Sequence, residues 1–332
     1  MERVFLAVGC CIALSVSASP ATAHEKLAAD YEAGHFFITL NSSEGQRLRL
    51  VVDSGGGGGI GRFILTPAAV VREHLATRTC GTGDEASIVV DLPAPKWKGL
   101  PVVEHRGCDA MALVPDGYTE LGDADGNLGA GYLPHFTWTF DYPAKTLWRE
   151  SSNWKAASQL RPLHMSFPKN AAGDRWSGLP RITLNIAGQP LDFLLDTGAT
   201  AKPTPAGLEA SHIDTARGIG VTSYITTSML ERWHREHQTW RLVDKGDALM
   251  DGMRIIEVPS VEIAGWSVGP LWFTERPDGA FDEHTGISQY MDGPVVGAAG
   301  ANLWQNFVMT LDYSHDTAWL ACADCKSSVG TP

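Results

Sequence analysis

Positive charge is scarce in this chain. Its 332 residues include 26 lysines and arginines against 38 aspartates and glutamates, a net charge of −12. Such a surface repels phosphate backbones, which argues against nucleic acid as a partner. Charge of either sign is limited to 19% of residues, and the apolar share of 44% is that of an ordinary globular protein. After the N-terminal segment there is no apolar run long enough to span a bilayer, so no membrane contact is expected of the mature chain. Helical periodicity is sparse, and strands do not alternate regularly with helices, which disfavours a parallel α/β sheet. No Gly-Lys-Ser/Thr phosphate loop occurs. His234 and His237 lack the spacing of a zinc-protease helix and read as a solvated polar face.

The N-terminus reads as an export signal. Arg3 is followed by a mostly apolar stretch from Val4 to Val16, and Ala21-Thr22-Ala23 supplies small residues for cleavage after Ala23. Residues 1–23 are thus expected to be removed and the mature chain to be secreted or periplasmic. Four cysteines then remain, Cys80, Cys108, Cys322 and Cys325. An oxidising compartment favours bridges. Of the three possible pairings, Cys80–Cys108 and Cys322–Cys325 are expected, since each joins cysteines of one region. Cys322-x-x-Cys325 follows a strand pattern at the end of the chain and reads as structural rather than redox-active.

Short apolar or alternating runs at Phe36–Leu40, Leu48–Val52, Ser87–Val90, Phe136–Phe140, Ile182–Ile186, Leu191–Leu195, Val258–Ile263 and Phe307–Leu311 predict strands. Thr66-Pro67 predicts a short capped helix, and Thr227–Gln238 a second helix. Several of these runs carry repeated text. Ile38-Thr39-Leu40-Asn41 leads into Val51-Val52-Asp53-Ser54-Gly55, and Ile182-Thr183-Leu184-Asn185 leads into Leu194-Leu195-Asp196-Thr197-Gly198. The leads are nearly equal, 15 residues (53 − 38) and 14 (196 − 182). Phe136-Thr137-Trp138-Thr139-Phe140-Asp141-Tyr142 answers Phe307-Val308-Met309-Thr310-Leu311-Asp312-Tyr313, with Trp148 and Trp319 each seven beyond the closing aspartate (148 − 141 and 319 − 312). The chain is a duplicated unit, and each copy ends an apolar strand on an aspartate in an Asp-Ser/Thr-Gly turn.

This pattern resembles the aspartic proteases, both the bilobal pepsin-like and the retropepsin-like enzymes. The resemblance rests on Asp53-Ser54-Gly55, Asp196-Thr197-Gly198, Leu128-Gly129 and Val296-Gly297 and extends over roughly residues 35–320. It implies an all-β fold of two pseudo-symmetric, β-barrel-like lobes, residues 24–150 and 179–332, joined by a linker over 151–178. It also implies that Asp53 and Asp196 form a carboxylate pair that activates water. Ser54 and Thr197 would bond across the lobe interface, and Gly55 and Gly198 would let backbone N–H groups approach the carboxylates. Leu128-Gly129 and Val296-Gly297 would lie behind the two turns. A peptide or protein substrate in the inter-lobe cleft, no metal, no organic cofactor and a monomeric state are expected.

The chain departs from the family in places. Asp53-Ser54-Gly55 runs on into Gly56-Gly57-Gly58-Gly59, and Asn127 stands where an apolar residue usually precedes Leu128. Gly56 and Ala199 stand where pepsin-like relatives commonly carry a hydroxyl that bonds the carboxylate. The pair is therefore expected to hold its shared proton to higher pH. The alternative is a non-catalytic peptide- or protein-binding module on the same fold, for which the glycine run is the best support. Thr79–Val89 and Arg217–Ile225 are the candidates for a hairpin over the cleft. Gly56-x-Gly58-x-x-Gly61 matches a dinucleotide fingerprint only as any glycine run does, without a strand–helix–strand context. Asp123-Ala124-Asp125-Gly126-Asn127 lacks the glycine and the bidentate glutamate of a calcium loop.

Overall fold

The computed structural model describes residues 24–57, 63–83, 86–92, 97–100, 112–115 and 122–328. The expected export segment, Gly58, Gly59, Cys108 and hence the expected Cys80–Cys108 bridge lie outside them. Among the described residues the strands form a nine-stranded sheet from the first half, a ten-stranded sheet from the second, a six-stranded sheet shared by both, and a two-stranded ribbon. The protein is all-β and two-lobed.

The shared sheet joins the lobes. Strand Thr137–Asp141 pairs antiparallel with Val308–Asp312, so that Thr137 faces Asp312, Thr139 faces Thr310 and Asp141 faces Val308. The duplicated closing segments therefore lie side by side in a symmetric register. Thr139 and Thr310 are equivalent residues 171 positions apart, and their hydroxyls hydrogen-bond at 2.7 Å on the pseudo-twofold axis. One face of this sheet is packed. Trp138, Phe140, Met309 and Leu311 are fully buried in a core cluster that extends into both lobes. Burying each such side chain stabilises the fold by about 1.5–3 kcal/mol. The Trp138 indole N–H also donates to the Leu133 carbonyl at 2.7 Å, as the Trp304 indole does to Ala299.

Local sequence chemistry explains most element boundaries. Thr66 caps the helix Pro67–Arg72 by accepting from the Ala69 N–H at 3.1 Å. The same Thr-Pro-Ala start, Thr204-Pro205-Ala206, caps Pro205–Ser211 through the Gly207 N–H at 3.1 Å, a helix not expected from periodicity. Thr227–Glu236 is helical as expected. The expected strand Val258–Ile263 is instead two strands, Met253–Val258 and Val261–Ile263. Pro259, which cannot donate to a ladder, lies at the turn between them.

Within the segment read as a linker, Arg161–His164 forms a strand on Thr317–Ala321. It lies at the outer edge of the shared sheet, where the missing N–H of Pro162 costs nothing. Cys322 and Cys325 are joined by a disulfide, and Lys326–Ser327 then pairs with Trp266–Ser267, tying the chain end to the second lobe. Thr79–Val89 spans most of a hairpin, with Thr77–Cys80 paired to Ser87–Val90. Arg217–Ile225 is no free hairpin. Gly220–Val221 pairs with Thr200–Ala201, and Ser223–Thr226 runs inside the second sheet.

Candidate active site

Strand Arg47–Val52 is buried from Leu48 onward, and its apolar side chains carry Asp53 to the sheet's end at the centre of the molecule. Behind it runs Gly126–Leu128, paired in parallel with Leu50, Val51 and Val52, and the Asp53 N–H donates to the Leu128 carbonyl at 3.1 Å. The second lobe repeats this construction. Gln189–Leu195 delivers Asp196, Gly297–Ala299 pairs in parallel behind it, and the Asp196 N–H donates to the Ala299 carbonyl at 3.0 Å.

These bonds correct one expectation. Leu128-Gly129 does lie behind the first turn, but the pair in the equivalent place behind the second is Ala299-Gly300. Val296-Gly297 comes three residues earlier, where the Val296 N–H donates to the Asp192 carbonyl. The shared text is Gly126-Asn127-Leu128-Gly129-Ala130 and Gly297-Ala298-Ala299-Gly300-Ala301. Its Gly-x-x-Gly-Ala frame was the available signal. The glycines are there because backbone passes too close for a side chain. A Cβ on Gly129 would sit 2.3 Å from the Gly56 carbonyl oxygen, and one on Gly300 would sit 1.6 Å from that of Thr222.

The two turns interlock. The Ser54 N–H donates to the Thr197 hydroxyl at 3.0 Å, and that hydroxyl donates to the Val52 carbonyl at 2.8 Å. Reciprocally, the Thr197 N–H donates to the Ser54 hydroxyl at 3.0 Å, which donates to the Leu195 carbonyl at 2.8 Å. All four bonds are buried, so each hydroxyl serves as donor and acceptor with no water needed. Each aspartate also receives its own turn: the Gly55 N–H donates to Asp53 Oδ1 and the Gly198 N–H to Asp196 Oδ1, both at 2.9 Å. Gly55 and Gly198 are necessary for the approach of the opposite lobe. A Cβ on Gly55 would fall 2.3 Å from the Asp196 carboxyl carbon, and one on Gly198 would fall 2.4 Å from that of Asp53.

The two carboxyl groups thus meet where the turns interlock, each beside the glycine of the opposite turn. Burial pushes both above the ordinary aspartate range. For Asp53 this is offset by hydrogen bonds from Asp196, Gly55, Asn127 and Gly56. For Asp196, which is 7% exposed, the neighbouring Asp53 adds to burial and only the Gly198 and Ala199 N–H groups oppose. Asp196 is therefore held well above the usual value. Two carboxyl groups buried this close share one proton, and their titration belongs to the pair.

Three features of this site were missed in the sequence. The Asn127 side-chain N–H donates to Asp53 Oδ2 at 3.1 Å, so the first carboxyl has a side-chain donor although Gly56 supplies no hydroxyl. His35, 4% exposed, reaches from the first lobe to the Thr200 hydroxyl at 3.1 Å, and Thr200 in turn donates to the Gly198 carbonyl at 2.7 Å. On the second-lobe side, the Tyr224 hydroxyl accepts from the Thr200 N–H and donates to the Thr200 carbonyl, both at 2.7 Å, under the Arg276 guanidinium 4.0 Å from its ring. Burial pushes the Tyr224 phenol up to about 12, with Arg276 opposing and Asp196 adding. No local sequence signal marks His35 or Tyr224. The departure at Asn127 was visible, its contact was not.

No protein-family model matches the chain, and no curated protein matches it in sequence. Among solved structures the chain is similar to the crystal structure of basic 7S globulin from soybean, at 8% identity and a TM-score of 0.45, over 93% of this chain and 96% of that one. What the site does has to be read from its own atoms.

Proposed function

We propose that this protein is an aspartic-type endopeptidase. The observation that carries the reading is the juxtaposition of the buried Asp53 and Asp196 carboxyls on two interlocked turns; two carboxyls so placed share one proton. Such a pair offers both halves of a hydrolysis. Asp53, ionised, takes a proton from a water as its oxygen bonds to the peptide carbonyl carbon. Asp196 gives its proton to the carbonyl oxygen. When the resulting diol collapses, the C–N bond breaks and the nitrogen leaves with a proton returned by the pair. An extended peptide in the inter-lobe cleft would be held by strand-like backbone pairing. The hairpin formed by Thr77–Cys80 and Ser87–Val90 is the candidate cover.

Export to a secreted or periplasmic location belongs to the same reading. It is supported by the signal-like residues 1–23 and by the Cys322–Cys325 disulfide. Among the described residues no helix is long and apolar enough to cross a membrane.

The test is a peptide-library digest with purified mature chain across pH, with and without a transition-state-mimicking aspartic inhibitor. Cleavage that the inhibitor stops, and that Asp53→Asn and Asp196→Asn each remove almost entirely, is the expected result. Residues that act as a unit are not additive, so the double variant is no worse than either single one. Peptide binding without cleavage at any pH points instead to a binding module on this fold.

A further inference from the structure

The pseudo-twofold makes the two aspartates nearly equivalent, and one side chain breaks the equivalence. Asn127 lies on the strand behind the first turn, paired with Val51, and is 3% exposed. Its amide nitrogen is 3.1 Å from Asp53 Oδ2, the oxygen not used by the Gly55 N–H. The amide must present nitrogen rather than oxygen to a carboxylate, because two acceptors would repel. The equivalent residue in the second lobe, 171 positions on by the Thr139–Thr310 frame, is Ala298, which has no donor. Nor does Ala199, the neighbour of the second turn.

The glycine run fits the same arrangement. A Cβ on Gly56 would lie 2.0 Å from Asp53 Oδ2 and 2.5 Å from the Asn127 nitrogen. A Cβ on Gly57, where φ is +62°, would lie 2.9 Å from the Asn127 oxygen. Any other residue at either position would push the amide or the carboxylate aside. Gly56 and Gly57 are the space that Asn127 occupies, which gives this part of the run a physical purpose.

We propose that Asn127 is a positioning residue that makes Asp53 the ionised member of the pair, standing in from the adjacent strand for a hydroxyl that Gly56 cannot supply. The inference rests on the peptidase reading for its catalytic meaning, but the contact itself does not. A donor on Asp53 alone favours its charge and leaves the shared proton on Asp196. The direction of the carboxyl shifts agrees, with the Asn127 bond opposing burial at Asp53 and no side-chain donor doing so at Asp196. Burial holds the phenols on either side, Tyr313 for Asp53 and Tyr142 and Tyr224 for Asp196, neutral across the acidic range. His35, bonded to the Thr200 hydroxyl and lowered by burial to about 4, charges within that range, and the Arg276 guanidinium lies over Tyr224. Both are the same in wild type and in the Asn127 variants, so the difference between those proteins isolates the Asn127 contact.

The experiment follows the carboxyl carbons of Asp53 and Asp196 by NMR titration in aspartate-labelled protein, for wild type, Asn127→Leu and Asn127→Asp. A pH–rate profile accompanies it on any peptide that the library digest yields. Leucine keeps the shape and removes the donor. A hydrogen bond to a charged group is worth enough to move a titration by about one unit. In wild type the Asp53 carbon should carry most of the first ionisation. In Asn127→Leu that first step should rise by about one unit and divide between the two carbons, with the acid limb of the rate profile moving up by the same amount. Asn127→Asp, which adds a like charge as it ionises, should also raise the pair's titration. Titrations that superimpose on wild type in folded variants would overturn the inference, even if their thermal stability falls. If wild type cleaves nothing, the peptidase reading fails while the carboxyl titration still decides the role of Asn127.

Discussion

Acid should weaken this fold through His35, and His35→Gln should relieve it. His35 is 4% exposed, with Nε2 3.1 Å from the Thr200 hydroxyl and the Arg49 guanidinium nearby. Burial, helped by Arg49 and opposed by a hydrogen bond to the Gly198 backbone, lowers its pKa from 6.5 to about 4. Above pH 6.5 the imidazole is neutral whether the chain is folded or not, and the stability it allows is complete. Below that the unfolded chain takes up a proton that the folded one refuses, so stability is lost as pH falls, until the folded value near 4 is passed. At 1.36 kcal/mol per unit, the gap from 6.5 to about 4 corresponds to about 3 kcal/mol, a large share of a typical domain's stability. Glutamine does not titrate, and its amide can still donate to Thr200. The assay is urea denaturation followed by tryptophan fluorescence at pH 7.5 and pH 4 for both proteins. Whatever the substitution costs in packing appears at both pH values and cancels in the comparison. Wild type should lose about 3 kcal/mol more than His35→Gln between the two conditions. Equal losses would show that His35 is protonated in the folded state without penalty and refute the reasoning. An enzyme working at acid pH would meet this limit within its own range.

Other outcomes follow from the same geometry. Asp196→Asn should raise thermal stability at neutral pH and leave it nearly unchanged in strong acid. The native carboxyl is held well above its ordinary value, so its contribution is present below the unfolded value and lost as pH rises through the folded one; melting curves at both pH values check this. Thr197→Val should destabilise by about 2–4 kcal/mol, because two buried hydrogen bonds go and the Ser54 N–H and Val52 carbonyl lose their partner, a change readable in chemical denaturation. Gly56→Ala should displace the Asp53 carboxylate or the Asn127 amide and abolish most turnover in the peptide digest while leaving the circular dichroism spectrum intact.

Much of this protein was legible in its residues one after another. Apolar strands ending on Asp53 and Asp196, the caps at Thr66 and the closing segments at Phe136 and Phe307 are local patterns. Periodicity and turn chemistry act over a few residues, so they can be read without knowing what lies opposite. The duplication told which local patterns belong together, and the family resemblance it supported implied that Ser54 and Thr197 are partners. The same method misplaced the second strand behind the turns by three residues, choosing Val296-Gly297 over Ala299-Gly300, because apolar-Gly pairs recur and only the parallel ladder selects one. It also took the glycines after Asp53 as support for a non-catalytic module, since their neighbour Asn127 arrives from 74 residues away. His35 meets Thr200 across 165 residues and the lobe interface, which no window along the chain contains. The sequence by itself determined where the carboxylates are and what kind of turn holds them. That Asn127 reaches Asp53 and, among the described residues, nothing equivalent reaches Asp196, and that His35 is buried against Thr200, was decided only by tertiary structure, because a pKa depends on burial and on whatever charge or donor the rest of the chain brings within reach.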